Sequence, residues 1–445
     1  MGTVAQGSLF SWKIVERSPE ILRLRRILAV LPDEELIRTL VRERKGKRDD
    51  YPLEAVWNSV IAMVVFGHDG PASLIRELKR NAELREVCGF EVAEGEGAVP
   101  PEWVYTRFFQ KLFRHAKLVE KMFEAMVEKV RSVLPNFGRH LAVDSKALET
   151  LTEKDGEAAW GVKTYRGVGK DGKPWETVKK WFGYKLHLIV DAEYELPVAF
   201  EVTKANVADS PRLAPMLKRL KKEHPQVIER AESLSSDKAY DDGADKAMVY
   251  EDYGMMPLMD TRDLHHDEAG GKMRPLDPDH HDTIYYSGTG DVCCKVAPFV
   301  QEEERQFARM QFMGFEKERG TLKFRCPAAA FGIECHNREA CRCAPLVRDG
   351  AYGRVVRVPL DRNRRLFLPC HRHSYAFQRG YARRTAVERV FSRVDQVYGF
   401  EHHYIRGEKK MRVRVGLALI VMLATAVAWA EVGRLDNVRS LRRAA

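Results

Sequence analysis

Apolar residues recur at helical spacing in six stretches of the first 137 residues: Ile21–Leu31, Leu36–Val41, Leu53–Phe66, Leu74–Leu84, Val104–Leu112 and Leu118–Val133. Breaks fall at Pro32-Asp33, from Gly67 to Pro71, and in the Gly/Glu/Pro run from Glu94 to Pro101. At Arg139 the period changes. His140 to Lys146 reads as a short apolar strand with Asp144 at its end, followed by a polar stretch (Lys154 to Lys180) rich in Gly and Lys. Gly183–Asp191 and Pro197–Thr203 alternate about a short polar turn, the pattern of an antiparallel hairpin. A helix is predicted over Ser210–Glu223, a strand ending at Asp237, a helix around Asp242–Tyr253 and a strand over Met255–Asp260.

From Thr261 to about Arg365 the chain carries doubled histidines (His265-His266, His280-His281), acidic loops, short β-like runs and six of the eight cysteines, which reads as an insertion. Beyond it, Tyr381 to Arg406 reads as a helix with Tyr381, Arg384, Glu388 and Asp395 on one stripe. Val387, Val390, Phe391, Val394 and Tyr398 occupy the buried side. These patterns divide the chain into a helical region over 1–137, an α/β core over 138–262, an insertion over 263–365, a second part of the core over 366–432, and a basic tail over 433–445.

The net charge of +10 is concentrated at one end. From Asp361 onward there are 18 Lys/Arg against 7 Asp/Glu, a net of +11, which predicts a polyanionic partner, with nucleic acid ahead of a membrane surface. In the helical region, Arg76, Lys79, Arg80 and Arg85 lie on short helices compatible either with a helix-turn-helix reader of duplex DNA or with a solvated basic face. The longest apolar run, Val415–Ala430, is shorter than the roughly 20 residues a membrane helix needs, and is read as a buried helix. Met1–Arg17 lacks the pattern of a secretion signal, so a cytoplasmic protein with reduced thiols is expected.

Three acids stand at predicted element ends or on the late helix: Asp144, Asp237 and Glu388. Phosphodiester chemistry uses such sets, because divalent ions held by carboxylates activate a water or hydroxyl and stabilise the leaving oxygen. Mg²⁺ suits few carboxylates and accepts phosphate oxygens as further ligands. Asp191 and Asp241 compete for these positions, but capping of a turn and of a helix start are the simpler roles.

In Ala142-Val-Asp144-Ser-Lys, Gly183-Tyr-Lys-Leu-His, Thr203-Lys-Ala-Asn206 with Asp209-Ser210, Ser236-Asp237-Lys-Ala-Tyr-Asp, and Arg383-Arg-Thr-Ala-Val-Glu388-Arg, the chain resembles the DDE transposases of bacterial insertion sequences. The family signature Tyr-x2-Arg-x3-Glu-x6-Lys is matched at Tyr381, Arg384 and Glu388, with Asp395 in place of the Lys. Arg389, Arg393 and Lys409 are candidates to replace that Lys.

The resemblance implies an α/β fold with a ribonuclease-H-like mixed-sheet core. It also implies Asp144, Asp237 and Glu388 as ligands of Mg²⁺ (or Mn²⁺), two ions per active site. Tyr381, Arg384, Arg389, Arg393, Arg406, Lys409 and Lys410 would contact double-stranded DNA, and a homodimer would act on paired terminal inverted repeats. A structure-selective nuclease and an inactive DNA-binding descendant are the alternatives.

Three other polar or aromatic groups invite a reading. Trp160, Trp175 and Trp181 are packing residues or platforms for a flipped base. His402 and His403 are solvated loop residues or phosphate contacts. Cys326, Cys335, Cys341 and Cys343 are packed thiols or a structural Zn²⁺ site, although their spacings differ from the usual C-x2–4-C pairs.

Overall fold

The computed structural model describes residues 18–44, 50–168, 173–264, 273–277, 283–298, 300–339 and 352–439. Seven helices come first: α1 (Pro19–Val30), α2 (Glu34–Arg42), α3 (Leu53–Val65), α4 (Pro71–Arg80), α5 (Ala82–Cys88), α6 (Glu102–Arg114) and α7 (Ala116–Val133). Proline opens α1 and α4, where a missing N–H costs nothing. Asn81 caps α5 by accepting the Leu84 N–H. Arg85 does not present its charge to solvent as a DNA reader would. It is buried, and Nη1 donates to the carbonyls of Leu78 and Lys79 at the end of α4.

The α/β part comprises β1 (His140–Glu149), β2 (Ala159–Val168), β3 (Pro174–Asp191), β4 (Leu196–Lys204), α8 (Ser210–Glu223), α9 (Pro225–Arg230), β5 (Ser233–Ser236), α10 (Gly243–Glu251) and β6 (Met256–Met259). β4, β3 and β1 are antiparallel neighbours, whereas β1, β5 and β6 run parallel, so the sheet is mixed. Leu141, Ala142 and Val143 are buried in succession, as a central strand covered on both faces requires.

The polar stretch 154–180 corrects the sequence expectation. It contributes β2 and the first half of β3, which pair from Ala159–Gly183 to Val168–Pro174 as a two-stranded arm leaving the sheet. Gly183 sits where arm and sheet join. Its φ of 154° suits glycine, and a Cβ there would lie 2.2 Å from the Leu148 carbonyl oxygen. Within the arm Trp181 lies across Gly161, where a Cβ would come within 2.4 Å of the indole.

The insertion forms two small antiparallel sheets. One contains β7 (Met273–Pro275), β8 (Ile284–Ser287), β9 (Val292–Lys295) and, after the short helix α11 (Glu303–Gln306), β10 (Phe307–Arg309). The other contains β11 (Gln311–Glu316), β12 (Thr321–Arg325) and, after α12 (Pro327–Phe331), β13 (Val355–Pro359). His265-His266 and His280-His281 lie outside the described residues.

A buried charge cluster ties this region to the core. Lys246 Nζ lies 2.5 Å from Asp241 Oδ1 and also donates to Thr261 Oγ1 and the Arg365 carbonyl, while Arg365 Nη1 lies 2.6 Å from Asp241 Oδ2. Asp241 therefore does not cap α10. Asp242 does, accepting the N–H groups of Ala244 and Asp245.

The final elements are α13 (Tyr375–Tyr381), α14 (Thr385–Gln396) and α15 (Glu408–Glu431). The predicted continuous helix from Tyr381 is broken by a 3₁₀ turn over Ala382–Arg384, and α14 ends at Gln396. Val387, Val390, Phe391, Val394 and Tyr398 are buried as their spacing implied. α15 is long and apolar enough to cross a membrane, yet it is enclosed by protein from Met411 to Trp429. It packs on α1, α3, α7 and β4, and one hydrophobic core runs from Ile21 through the sheet to Val438.

Candidate active site

The parallel pairing of β1 with β5 ends at Val143–Ser236, so Asp144, still on β1, and Asp237, just past the end of β5, are the next residues on the two neighbouring segments. Asp144 is not at a strand end, because β1 continues against β3 as far as Glu149. β5 stops, and Asp237 turns out of it with Oδ1 accepting the Ala239 N–H at 2.8 Å. The Asp144 carboxyl is pushed up to about 7, chiefly by burial and then by the Asp237 charge. The Ser145 N–H, Lys163 and Arg384 oppose the rise. Two carboxylates forced together in this way favour a bound cation.

Glu388 stands in the first turn of α14 and is reached through Arg384. Arg384 Nη1 lies 2.8 Å from Glu388 Oε1 and 3.7 Å from Asp144 Oδ2. The guanidinium carbon is also 5.8 Å from the centre of the Tyr381 ring, which stacks on Phe377 at 5.7 Å. Tyr381, Arg384 and Glu388 thus form a connected set beside Asp144. Among the described residues, no three His, Cys, Asp or Glu side chains are already arranged as a metal cage. Asp144 and Asp237 form one half of the candidate site, and Glu388 adjoins them with Arg384 between.

Asp144 and Asp237 open on a groove of ≈ 680 Å³ whose other wall is the arm, with Lys163, Tyr165 and Lys179 facing in, whereas Glu388 lies outside its lining with its side chain 54% exposed. Lys146 and Asp395 also line it, joined at 2.5 Å between Nζ and Oδ2. Lys185 lies 3.0 Å from Asp209, and both border the groove. No site role is assigned to Lys146, Lys163, Lys179, Lys185 or Asp209 from sequence. Lys146 alone had a usable signal, since i and i+2 on a strand share a face and Asp144 is at i.

The predicted DNA contacts divide. Arg389 and Arg393 both pair with buried Glu195, Arg389 at 2.9 Å, and Arg393 Nη1 also donates to the Glu195 carbonyl at 2.7 Å. Arg406, Lys409 and Lys410 are exposed after α14 and at the start of α15. His402 is exposed. His403 is buried rather than solvated, and burial followed by the Arg414 charge lowers it to about 4.

Asp191 organises a turn, accepting N–H groups from Gly138, Glu193 and Tyr194. Trp181 is buried against Gly161 and Trp175 lies against Gly167 of the partner strand, while Trp160 and Trp175 are both about half exposed. Cys341 and Cys343 lie outside the described residues. Cys326 is buried and Cys335 partly so, with no metal-holding group among the described residues.

A family model described as a transposase DDE domain matches residues 135–424, from just before β1 into α15. No curated protein matches the chain.

Proposed function

The chain belongs to the DDE transposase family, and from that premise we propose a DNA transposase that hydrolyses phosphodiesters at the terminal inverted repeats of an element and joins the freed 3′-hydroxyl to target DNA. The observation that carries this is the juxtaposition of Asp144 on β1 with Asp237 at the end of the neighbouring β5, with Arg384 linking Asp144 to Glu388. The mixed order β4-β3-β1-β5-β6 supports a ribonuclease-H-like core.

The raised Asp144 carboxyl beside Asp237 suits a divalent cation, and Mg²⁺ fits a site with few carboxylates. Asp144 and Asp237 would hold it, with Glu388 as the third ligand. Bound there, Mg²⁺ would supply charge stabilisation at the scissile phosphate and lower the pKa of a water or hydroxyl. Arg384 keeps Glu388 against the Asp144 strand and offers its remaining N–H groups to phosphate oxygens. Lys163 and Lys179 on the arm give the groove a cationic wall that draws the DNA backbone across the acids. Two ends must be processed together, so a homodimer assembles on DNA.

The test uses the full chain with the DNA that flanks its own coding sequence and a supercoiled target plasmid, in Mg²⁺. Nicking at the element boundary and joined products are expected, both lost in Asp144→Ala and Asp237→Ala. Nicking without joining would indicate a nuclease. Equal nicking by wild type and Asp144→Ala would overturn the site.

A further inference from the structure

A second pocket, of ≈ 500 Å³, adjoins the acid groove and shares the walls Phe400 and His402 with it. It lies where the turn before α4 and helix α6 meet the segment between α14 and α15. Phe109 and Phe113 stack at 5.8 Å with 21° between their planes. Arg414 Cζ stands 5.8 Å from the centre of Phe109, and Lys410 Nζ 6.0 Å from that of Phe113. Tyr404, also lining the pocket, is 81% exposed.

The cations here differ from those nearby. Arg389 and Arg393 pair with Glu195, Lys146 pairs with Asp395, and Arg412 pairs with Glu408 and Glu120. Among the described residues, Arg406, Lys410 and Arg414 make no ion pair, and Asp69 is the one acid lining the pocket. Arg414 is withdrawn from water, which draws its pKa below the ordinary value with no carboxylate offsetting it. Desolvating a cation without a counter-charge destabilises the fold unless a ligand brings the charge.

Cations backed by aromatic faces suit a group with both a phosphate and a flat ring. The pocket is too small for a duplex, whose bases also hide their faces by stacking. We infer that it takes one unpaired nucleotide of a DNA strand leaving the acid groove, with the phosphate at Arg406, Lys410 and Arg414 and the base against the aromatic side chains. This rests on the DNA reading of the adjoining groove.

The test measures binding of the full chain in EDTA, where cleavage is silent, to a blunt duplex and to the same duplex bearing a five-nucleotide 3′ overhang containing 2-aminopurine. The wild type should prefer the overhang by about five- to tenfold and change the 2-aminopurine emission, in line with stacking of one base. Tyr404→Ala alters an exposed side chain and should remove most of the preference and of the emission change. Arg406→Gln should weaken overhang binding further. Equal affinity of the wild type for both DNAs, or a preference untouched by Tyr404→Ala, would overturn the nucleotide pocket while leaving the DNA reading intact. Failure to bind either DNA would overturn both.

Discussion

Lys146 on β1 and Asp395 on α14 form an ion pair, Nζ to Oδ2 at 2.5 Å, with both side chains largely withdrawn from water. Lys146 lies two residues after Asp144 on the same strand face, and Asp395 lies two helical turns after Glu388. The signature that the sequence resembles would put a lysine on the helix, at position 395. Here the helix provides the acid and the strand provides the lysine. The pair fastens the Glu388 helix to the Asp144 strand from within the groove it helps to line, so it positions the proposed metal ligands.

Asp395→Lys should therefore lower cleavage by about 10- to 100-fold, the range expected of a coupled, poorly solvated pair. Lys146→Asp combined with Asp395→Lys should recover most of the loss, mainly in kcat. A double variant no better than the worse single one would show that the pair has no positioning role.

Removing a site carboxylate should separate activity from stability. Asp144→Asn is expected to cost at least about 10³-fold in cleavage. It also relieves a buried charge beside Asp237, so its melting temperature without metal should rise by a few degrees. Mg²⁺ should stabilise the wild type and not the variant. An identical Mg²⁺ shift in both would remove Asp144 from the ligand set.

His403 supplies a pH test. Burial lowers it to about 4 from an ordinary 6.5, so between those values the unfolded chain binds the extra proton. Its contribution is complete above pH 6.5 and is lost as pH falls towards 4, by up to about 3 kcal/mol. His403→Asn keeps an acceptor for the Ile405 N–H and does not titrate. Urea midpoints should show the wild type losing ground to this variant as pH drops from 7 to 4.5. A constant difference would mean that His403 is not held neutral.

The Asp241–Lys246 pair, with neither side chain exposed, should tolerate only joint replacement. Asp241→Ala leaves Lys246 and Arg365 without their counter-charge and should cost about 3–5 kcal/mol. Asp241→Leu with Lys246→Met should recover the part due to Lys246 in chemical denaturation, leaving the cost of the Arg365 charge without its partner. Equal losses in single and double variants would contradict a dominant charge effect.

Much of the core was legible because burial imposes periodicity. Ser210–Glu223 is a helix at the residues its pattern predicts, with Pro211 at its opening, and the β3–β4 hairpin follows two alternating runs. The arm was not legible, since both of its faces meet solvent over much of its length and lysines replace the alternation a half-buried strand would show. The break at Ala382–Arg384 carries no Gly or Pro to announce it. Of the site, the acids stand out by their setting. The Lys146–Asp395 partnership joins residues 249 positions apart, and Arg389 and Arg393 look like free cations until Glu195 is folded beneath them.

Because α15 runs as a shared axle through the N-terminal helices and the sheet, the two halves of the molecule cannot swing independently. DNA held by the helical half would meet the acids at a preset angle, and selection of the correct end would depend on whether the DNA bends to suit the protein.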